Sequence, residues 1–202
     1  AADDENTKYY ETVRNSEEFK TFEEHYNEHI DTFKDDLKKL ISSDDEVDTK
    51  SLVKNTIDIV AESNNSLQLF DMLHAMRDVD DLTYVHSMNV ALIASVIGKW
   101  IGYNQEKIKV LTLAGLMHDI GKPCCSSTDQ NGIIHFYGHH RESCKIAVDL
   151  MHRLRMDNDT IREVSILVEN HDVRVEPSLP AVKRMMARTG EVLFEKLLII
   201  LL

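Results

Sequence analysis

Glycine and proline are scarce in this sequence, with seven glycines and three prolines among 202 residues. These residues punctuate turns and end helices, so their scarcity argues against a fold built from many short strands. The apolar residues instead recur at steps of three and four, which is the spacing of one face of an α-helix. The sequence therefore predicts an all-α fold, and its length is enough for one domain with a helical extension.

The sequence also has no excess of basic residues. The formal net charge is −12, with 16 acidic and 7 basic side chains in residues 1–50 against 19 and 16 in residues 51–202. The acidic excess therefore belongs to the N-terminal part of the chain. Because no basic stripe is present, we expect no nonspecific binding of nucleic acid.

Cysteines and long apolar runs are few as well. The three cysteines form no zinc-type CxxC pair, and adjacent cysteines rarely bridge each other. We therefore expect reduced thiols at Cys124, Cys125 and Cys144. The first residues are polar and acidic rather than typical of a signal peptide. The final LLIILL is too short to cross a bilayer and is typical of a buried helix. Together these features predict a cytoplasmic protein with no membrane partner.

A polar segment, SSDDEVDTKS, divides the chain into an acidic helical extension over 1–49 and a second domain over 50–202. The extension is predicted to be one long helix, 8–42, whose apolar stripe packs on the domain or forms a homodimer. Its His25 and His29 lie one turn apart but lack a third ligand, so we interpret them as part of a solvated face. Further helices are predicted over 50–63, 66–76, 80–101, 105–119, 139–156, 159–171, 180–188 and 190–202. Residues 123–137 are predicted to be irregular, with a short extended stretch at GIIHFY.

Several helix ends carry histidine or aspartate beside an apolar stripe: His86, His118, Asp119, His139, His140, His171 and Asp172. Inward-pointing histidines and carboxylates from several helices can build a metal site in a helical bundle. A lone core histidine is more often hydrogen-bonded within the core, whereas the adjacent pair His118 and Asp119 is compatible with either role. In the doublet of His139 and His140 only one side chain can point inward. The remaining histidines are interpreted as solvated: His74, His135 and His152.

The joint pattern of an upstream histidine and the motif HDIGK resembles the HD superfamily of metal-dependent phosphohydrolases. Residues 81–123 are similar to the HD-GYP subgroup, whose members cleave cyclic di-GMP. Residues 136–198 are similar to the HD domain that follows the catalytic head of bacterial tRNA nucleotidyltransferases. The resemblance covers about residues 80–202 and implies that the second domain is an HD-domain helical bundle.

The resemblance also implies a role for each matching side chain. One or two divalent metal ions (Fe, Mn, Co, Ni or Zn) would be held by histidine nitrogens and a bridging carboxylate. His86, His118 and Asp119 would bind the first ion, with Asp119 bridging to a second ion bound by His139 and His171. Lys122 would contact a substrate phosphate, and Asp119 would assist proton transfer while a metal-activated water attacks.

Two departures from the family pattern bear on the substrate and on the ligand set. The GYP signature is absent, and Asn170 stands where HD-GYP proteins carry the first of two histidines, which argues against cyclic di-GMP. The aspartate that follows FEKLL in the family does not occur before Leu202, so it either lies beyond Leu202 or is missing from the protein. Asp172 is a conceivable substitute, although it would then compete with His171 to point inward.

Two functions fit this pattern. The first is a metal-dependent phosphohydrolase that acts on a phosphomonoester or phosphodiester, most plausibly a small nucleotide-like molecule. The second is a catalytically incomplete HD module that binds nucleotide or metal and signals to a partner through helix 8–42. A purely structural domain would have to treat five converging His and Asp positions as coincidence. Because function depends on the site rather than on the fold, the geometry of these residues decides between them.

Overall fold

The computed structural model describes residues 2–42, 66–75 and 82–201. Within these ranges the regular structure is almost entirely helical, which confirms the predicted all-α fold. The predicted helix 50–63 and the predicted domain boundary after residue 49 lie outside the described residues, and they stay predictions.

The first of two compact units spans residues 1–85. Its described helices are α1 (Ala2–Arg14), α2 (Glu17–Ser42) and α3 (Ser66–Ala75). Helix α1 packs against α3, where the hydroxyl of Tyr9 donates a hydrogen bond of 2.7 Å to Asp71. The predicted stripe of α2 is buried at Phe19, Tyr26, Ile30 and Phe33. The stripe is thus covered within the chain itself, and the homodimer stays a prediction.

The single helix predicted over 8–42 is wrong, because the structure has two helices with a break between them. The hydroxyl oxygen of Ser16 accepts a hydrogen bond of 3.1 Å from the backbone N–H of Phe19. Glu17 and Glu18 follow in the first turn of α2. A serine at this position satisfies a backbone donor, and acidic side chains complement the helix dipole. The apolar spacing continues across the break, so periodicity alone could not reveal it.

The second unit, residues 86–202, is a bundle centred on α7. Its helices are α4 (Leu82–Trp100), which begins before the unit boundary, α5 (Gln105–Met117), α6 (His139–Arg153), α7 (Asn158–Asn170), α8 (Leu179–Thr189) and α9 (Glu191–Ile200). Helix α7 packs on α5, α6 and α9, and α9 also packs on α8. The core between them includes Leu111, Leu113, Val164, Leu167 and Leu197. The helices predicted for this unit are confirmed, with ends that differ by a few residues.

Between α5 and α6 the chain forms a 3-10 helix and a short hairpin. The 3-10 helix is Lys122–Cys125, and strand β1 (Ser127–Thr128) pairs antiparallel with β2 (Ile134–His135). Strand β2 confirms the extended stretch predicted within GIIHFY. The hairpin therefore separates the HDIGK motif from the helix that begins at His139.

Two predictions from composition concern thiols and membranes. The cysteines Cys124, Cys125 and Cys144 are free, as predicted. Among the helices that the structure describes, none combines the length and the apolar character needed to span a bilayer.

Candidate metal centre

Three histidines at helix ends are held by the same kind of hydrogen bond. In each ring Nδ1 lies 2.7 to 2.8 Å from the backbone carbonyl oxygen three positions earlier: His118 with Gly115, His139 with Phe136, and His171 with Val168. A carbonyl oxygen can only accept, so Nδ1 carries the proton and donates in all three rings. The neutral rings therefore present Nε2 as an acceptor, which is the tautomer that a histidine ligand requires.

The carboxylate of Asp119 lies at the centre of these rings and is 1% exposed. Its Oδ2 atom is 3.2 Å from Nε2 of His118 and 3.7 Å from Nε2 of His86. Its Oδ1 atom is 3.3 Å from Nε2 of His139 and 3.4 Å from Nε2 of His171. Each carboxylate oxygen therefore faces its own pair of histidines.

These side chains form two groups that share one residue. The outer triad is His86, His118 and Asp119, and the inner triad is Asp119, His139 and His171; in each, the ligand atoms lie within 4.8 Å of one another. All five residues predicted as metal ligands are thus brought together in one cluster. Their role as ligands stays a prediction.

The outer triad depends on a close approach of α4 and α5. A Cβ atom at Gly115 would lie 2.6 Å from Cα of Ala91, so glycine is required for the two helices to meet at this point. The rings of His86 on α4 and His118 at the end of α5 lie edge to face, with centroids 5.1 Å apart. Helix packing, rather than a local turn, therefore places His86 beside Asp119.

The turn that follows Asp119 is fastened to α6. The backbone N–H of Gly121 donates a hydrogen bond of 2.9 Å to the hydroxyl of Ser143, which is fully buried one turn after His139. A Cβ atom at Gly121 would lie 2.5 Å from the backbone nitrogen of Ser143. Because only glycine fits, this contact holds the HDIGK turn against the helix that carries His139.

The electrostatics of the cluster favour an ionised carboxylate at Asp119 and a neutral ring at His86. Burial opposes ionisation of Asp119, but the close approach of the His118 and His171 rings and of the Lys122 ammonium outweighs it and holds the pKa of Asp119 well below its usual range. Nζ of Lys122 lies 2.5 Å from Oδ2 of Asp119. Partial desolvation of the half-exposed ring, followed by the proximity of His118, lowers the pKa of His86. The nitrogen of His86 is therefore available as a ligand at neutral pH.

Other predicted residues lie outside the two triads. The doublet turns only His139 toward Asp119, as predicted, and Nδ1 of His140 lies 3.9 Å from Oδ2 of Asp172. The side chain of Asp172 is 60% exposed, so the structure places it beside His140 rather than at the cluster. The side chain of His135, interpreted as solvated, is partly buried, with Nε2 3.2 Å from Oδ2 of Asp129.

Sequence reasoning missed the residues that position the ligands. Gly115 lies inside an apolar helix, and Gly121 follows the His118–Asp119 pair by two residues. An isolated glycine within a helical pattern indicates close backbone approach, so the signal for Gly115 was present. Ser143 carried no signal of its own, because a small residue one turn after a histidine is common on buried helix faces.

The donor set fits a divalent cation. Nε2 of His139 and Nε2 of His171 lie 3.1 Å apart, and both face Oδ1 of Asp119. Three acceptor atoms at such distances repel one another unless a positive charge lies among them. Imidazole nitrogens combined with a carboxylate suit Fe, Mn, Co, Ni or Zn, and the hydrogen-bonded Nδ1 atoms supply the support that such ligands require.

Comparison with protein families agrees with this geometry. The family model described as HD domain matches residues 83–195, a range that contains every residue of both triads. The chain belongs to the HD domain family. Membership confirms the predicted superfamily of metal-dependent phosphohydrolases and the HD-domain bundle, whereas the likenesses to HD-GYP proteins and tRNA nucleotidyltransferases stay predictions. The searches of curated proteins and of solved structures give no match.

Proposed function

We propose that this HD domain protein is a metal-dependent hydrolase of a small, nucleotide-like phosphomonoester or phosphodiester in the cytoplasm. The observation that carries the proposal is the position of Asp119, whose two carboxylate oxygens face two separate pairs of histidines. A carboxylate shared in this way could supply one oxygen to each of two divalent cations, the kind of ligand that two-metal phosphatases use.

The ligands divide between two ion positions. His86, His118 and Oδ2 of Asp119 would hold one ion, and His139, His171 and Oδ1 of Asp119 would hold the other. Each position then has three protein ligands, which leaves room for oxygen atoms of the substrate. The bound cations supply Lewis-acid catalysis of phosphate-ester hydrolysis.

Lys122 and Asp119 have further roles in this proposal. The ammonium of Lys122 lies at the cluster, with its side chain 26% exposed, so it can reach a phosphate oxygen as well as Asp119. A charged donor in a partly buried site binds phosphate more strongly than a neutral one does. Asp119 stays ionised at neutral pH because its pKa is lowered, and the same lowering makes it a weak base, so its position supports the role of ligand better than the predicted role in proton transfer.

The test is metal content per chain, measured by mass spectrometry on protein purified without chelator or affinity nickel. Wild type is compared with Asp119→Ala, and Asp172→Ala serves as a matched control because Asp172 belongs to neither triad. We expect wild type and Asp172→Ala to retain at least about one transition-metal ion and Asp119→Ala to lose it, since each ligand set includes Asp119. Release of phosphate or nucleoside from a panel of nucleotides and phosphodiesters then measures turnover.

The outcomes separate the hydrolase from the signalling module. Metal retention with turnover that Asp119→Ala abolishes supports the hydrolase. Metal and nucleotide binding without turnover of any ester in the panel would favour the catalytically incomplete module. Absence of bound metal in wild type, even after incubation with Mn²⁺ or Fe²⁺, would contradict the proposal.

A further inference from the structure

The hairpin between Lys122 and His139 carries an exposed aromatic ring next to the metal centre. Tyr137 is 76% exposed, although large aromatic side chains are usually buried to a greater extent. One face of its ring is stacked on the imidazole of His135, with centroids 5.0 Å apart and an interplanar angle of 11°. At this exposure most of the ring surface that does not contact His135 is accessible to solvent.

The stacked pair is held in place by Asp129. Oδ1 of Asp129 accepts hydrogen bonds of 2.8 and 2.9 Å from the backbone N–H groups of Asn131 and Ile133, which fixes the turn of the hairpin. Oδ2 lies 3.2 Å from Nε2 of His135 and orients that ring. Tyr137 is therefore backed by a partner that is itself anchored, so little side-chain freedom is lost when a second ring stacks on it.

The same segment is tied to the metal centre. The backbone carbonyl of Phe136 accepts the Nδ1–H of His139, and Nζ of Lys122 lies 5.8 Å from the centre of the Phe136 ring. Tyr137 directly follows Phe136, and its Cα lies within about 7.6 Å of the Cα of His139, because two trans peptides separate them. The backbone of Tyr137 is thus within one nucleotide's length of the start of the helix that carries His139.

We propose that Tyr137, backed by His135, is a specificity-determining platform on which the base of a nucleotide stacks while its phosphate is bound at the triads and Lys122. This inference rests on the proposed function and names its substrate class as phosphate esters that carry an aromatic base. Stacking of a base on an aromatic side chain contributes roughly 5- to 150-fold in affinity. The stacking is independent of base identity, because every base has an aromatic face.

The experiment compares two ligands that differ only in the base. Dissociation constants of adenosine 5′-monophosphate and ribose 5-phosphate are measured by equilibrium dialysis against manganese-loaded protein. We expect wild type to bind the nucleotide at least about 5-fold more tightly than the sugar phosphate. Tyr137→Ala should remove this preference without changing manganese content or the affinity for ribose 5-phosphate, and Tyr137→Phe should keep it.

Ile133→Ser is the matched control, because Ile133 is an exposed apolar residue of the same hairpin that lies outside the stacked pair. Its preference for the nucleotide should equal that of wild type. Equal affinities for both ligands in wild type would overturn the proposal that Tyr137 stacks on a base. The phosphate site would remain supported, and a protein partner would then be the better explanation of the exposed apolar hairpin. A preference that survives in Tyr137→Ala would also overturn it. Failure of both ligands to bind would contradict the proposed function itself.

Discussion

The two triads share one carboxylate but differ in one histidine, because His118 of the outer triad is as buried as the inner rings and His86 is not. In the inner triad the side chains of His139 and His171 are 9% and 8% exposed, and both Nε2 atoms lie within 3.4 Å of Asp119. In the outer triad His86 is 54% exposed and lies 3.7 Å from Asp119. A buried ligand is preorganised by its packing, whereas an exposed one must be ordered when the ion binds. We therefore expect the inner position to bind a cation more tightly.

The difference also indicates which side a substrate approaches. The rings of the inner triad are buried, while the half-exposed His86 and the partly exposed Lys122 connect the buried Asp119 to the surface. With an ion bound at the outer triad, a phosphate ester would replace water there with little rearrangement of the protein. The inner triad, whose residues are all largely buried, would suit an ion that stays bound, and the outer triad, which includes the exposed His86, would suit an exchange of ligands.

Removal of a histidine from the inner triad should have the largest effect on metal affinity. His139→Ala leaves His171 and Asp119 as the only inner ligands, so we expect affinity for Mn²⁺ to fall by more than about 100-fold. His140→Ala is the matched control, since His140 is the next residue on the same helix and lies beside Asp172 instead. Calorimetric titration of chelator-treated protein measures both. Equal losses in the two variants would show that the inner triad is not a metal position.

Loss of His86 should have a smaller effect. His86→Ala removes an exposed ligand that water can replace, so we expect affinity to fall by about 10-fold and one ion to remain at the inner triad. His152→Ala provides the control, because His152 is an exposed histidine on α6. The measurement is ion stoichiometry after gel filtration. A loss in His86→Ala as large as that in His139→Ala would remove the distinction between the triads.

Substitution of Lys122 tests the outer side without removing a ligand. Lys122→Met should raise KM for a phosphate ester by roughly tenfold, the effect of one lost hydrogen bond to a charged group. Metal affinity should stay the same or rise, because the ammonium no longer competes for Oδ2 of Asp119. Lys145→Met is the control, since Lys145 is an exposed lysine paired with Glu142. Metal loss in Lys122→Met would instead identify Lys122 as a structural support of Asp119.

The five clustered side chains were predictable from the sequence, and their unequal environments were not. The motif HDIGK and the resemblance around it led to His86, His118, Asp119, His139 and His171, which the structure gathers around one carboxylate. The exposure of His86 could not be predicted, because it depends on how α4 meets α5. That approach depends in turn on Gly115, whose close contact with Ala91 exists only in the packed state.

Helix positions were also predictable from local patterns, except where tertiary contacts or competing local signals determine the structure. Apolar spacing predicted the helices of the second unit but passed over the break at Ser16, because the stripe continues on both sides of it. The hydrogen bond from Gly121 to Ser143 joins residues 22 positions apart, so no local pattern could indicate it. The proximity of Asp172 to His140 was likewise not predictable, because it depends on how the helices that carry them pack.

The smallest expected effect concerns the charge of Asp119 in metal-free protein, and here the triads should be equal. The close rings of His118 in the outer triad and His171 in the inner triad both lower its pKa from the ordinary value of 3.8. A carboxyl group whose pKa is lowered in the folded state stabilises the fold at pH values above its ordinary pKa. This stability is lost as the pH falls, because the unfolded chain binds the proton first.

Below about pH 4 the free energy of unfolding should therefore fall more steeply in wild type than in Asp119→Asn, by at most about 1.4 kcal/mol per pH unit. Denaturant titrations of chelator-treated protein measure this slope. His118→Ala and His171→Ala should each reduce the excess slope by a similar amount, and a reduction confined to His171→Ala would show that the inner triad alone controls the charge.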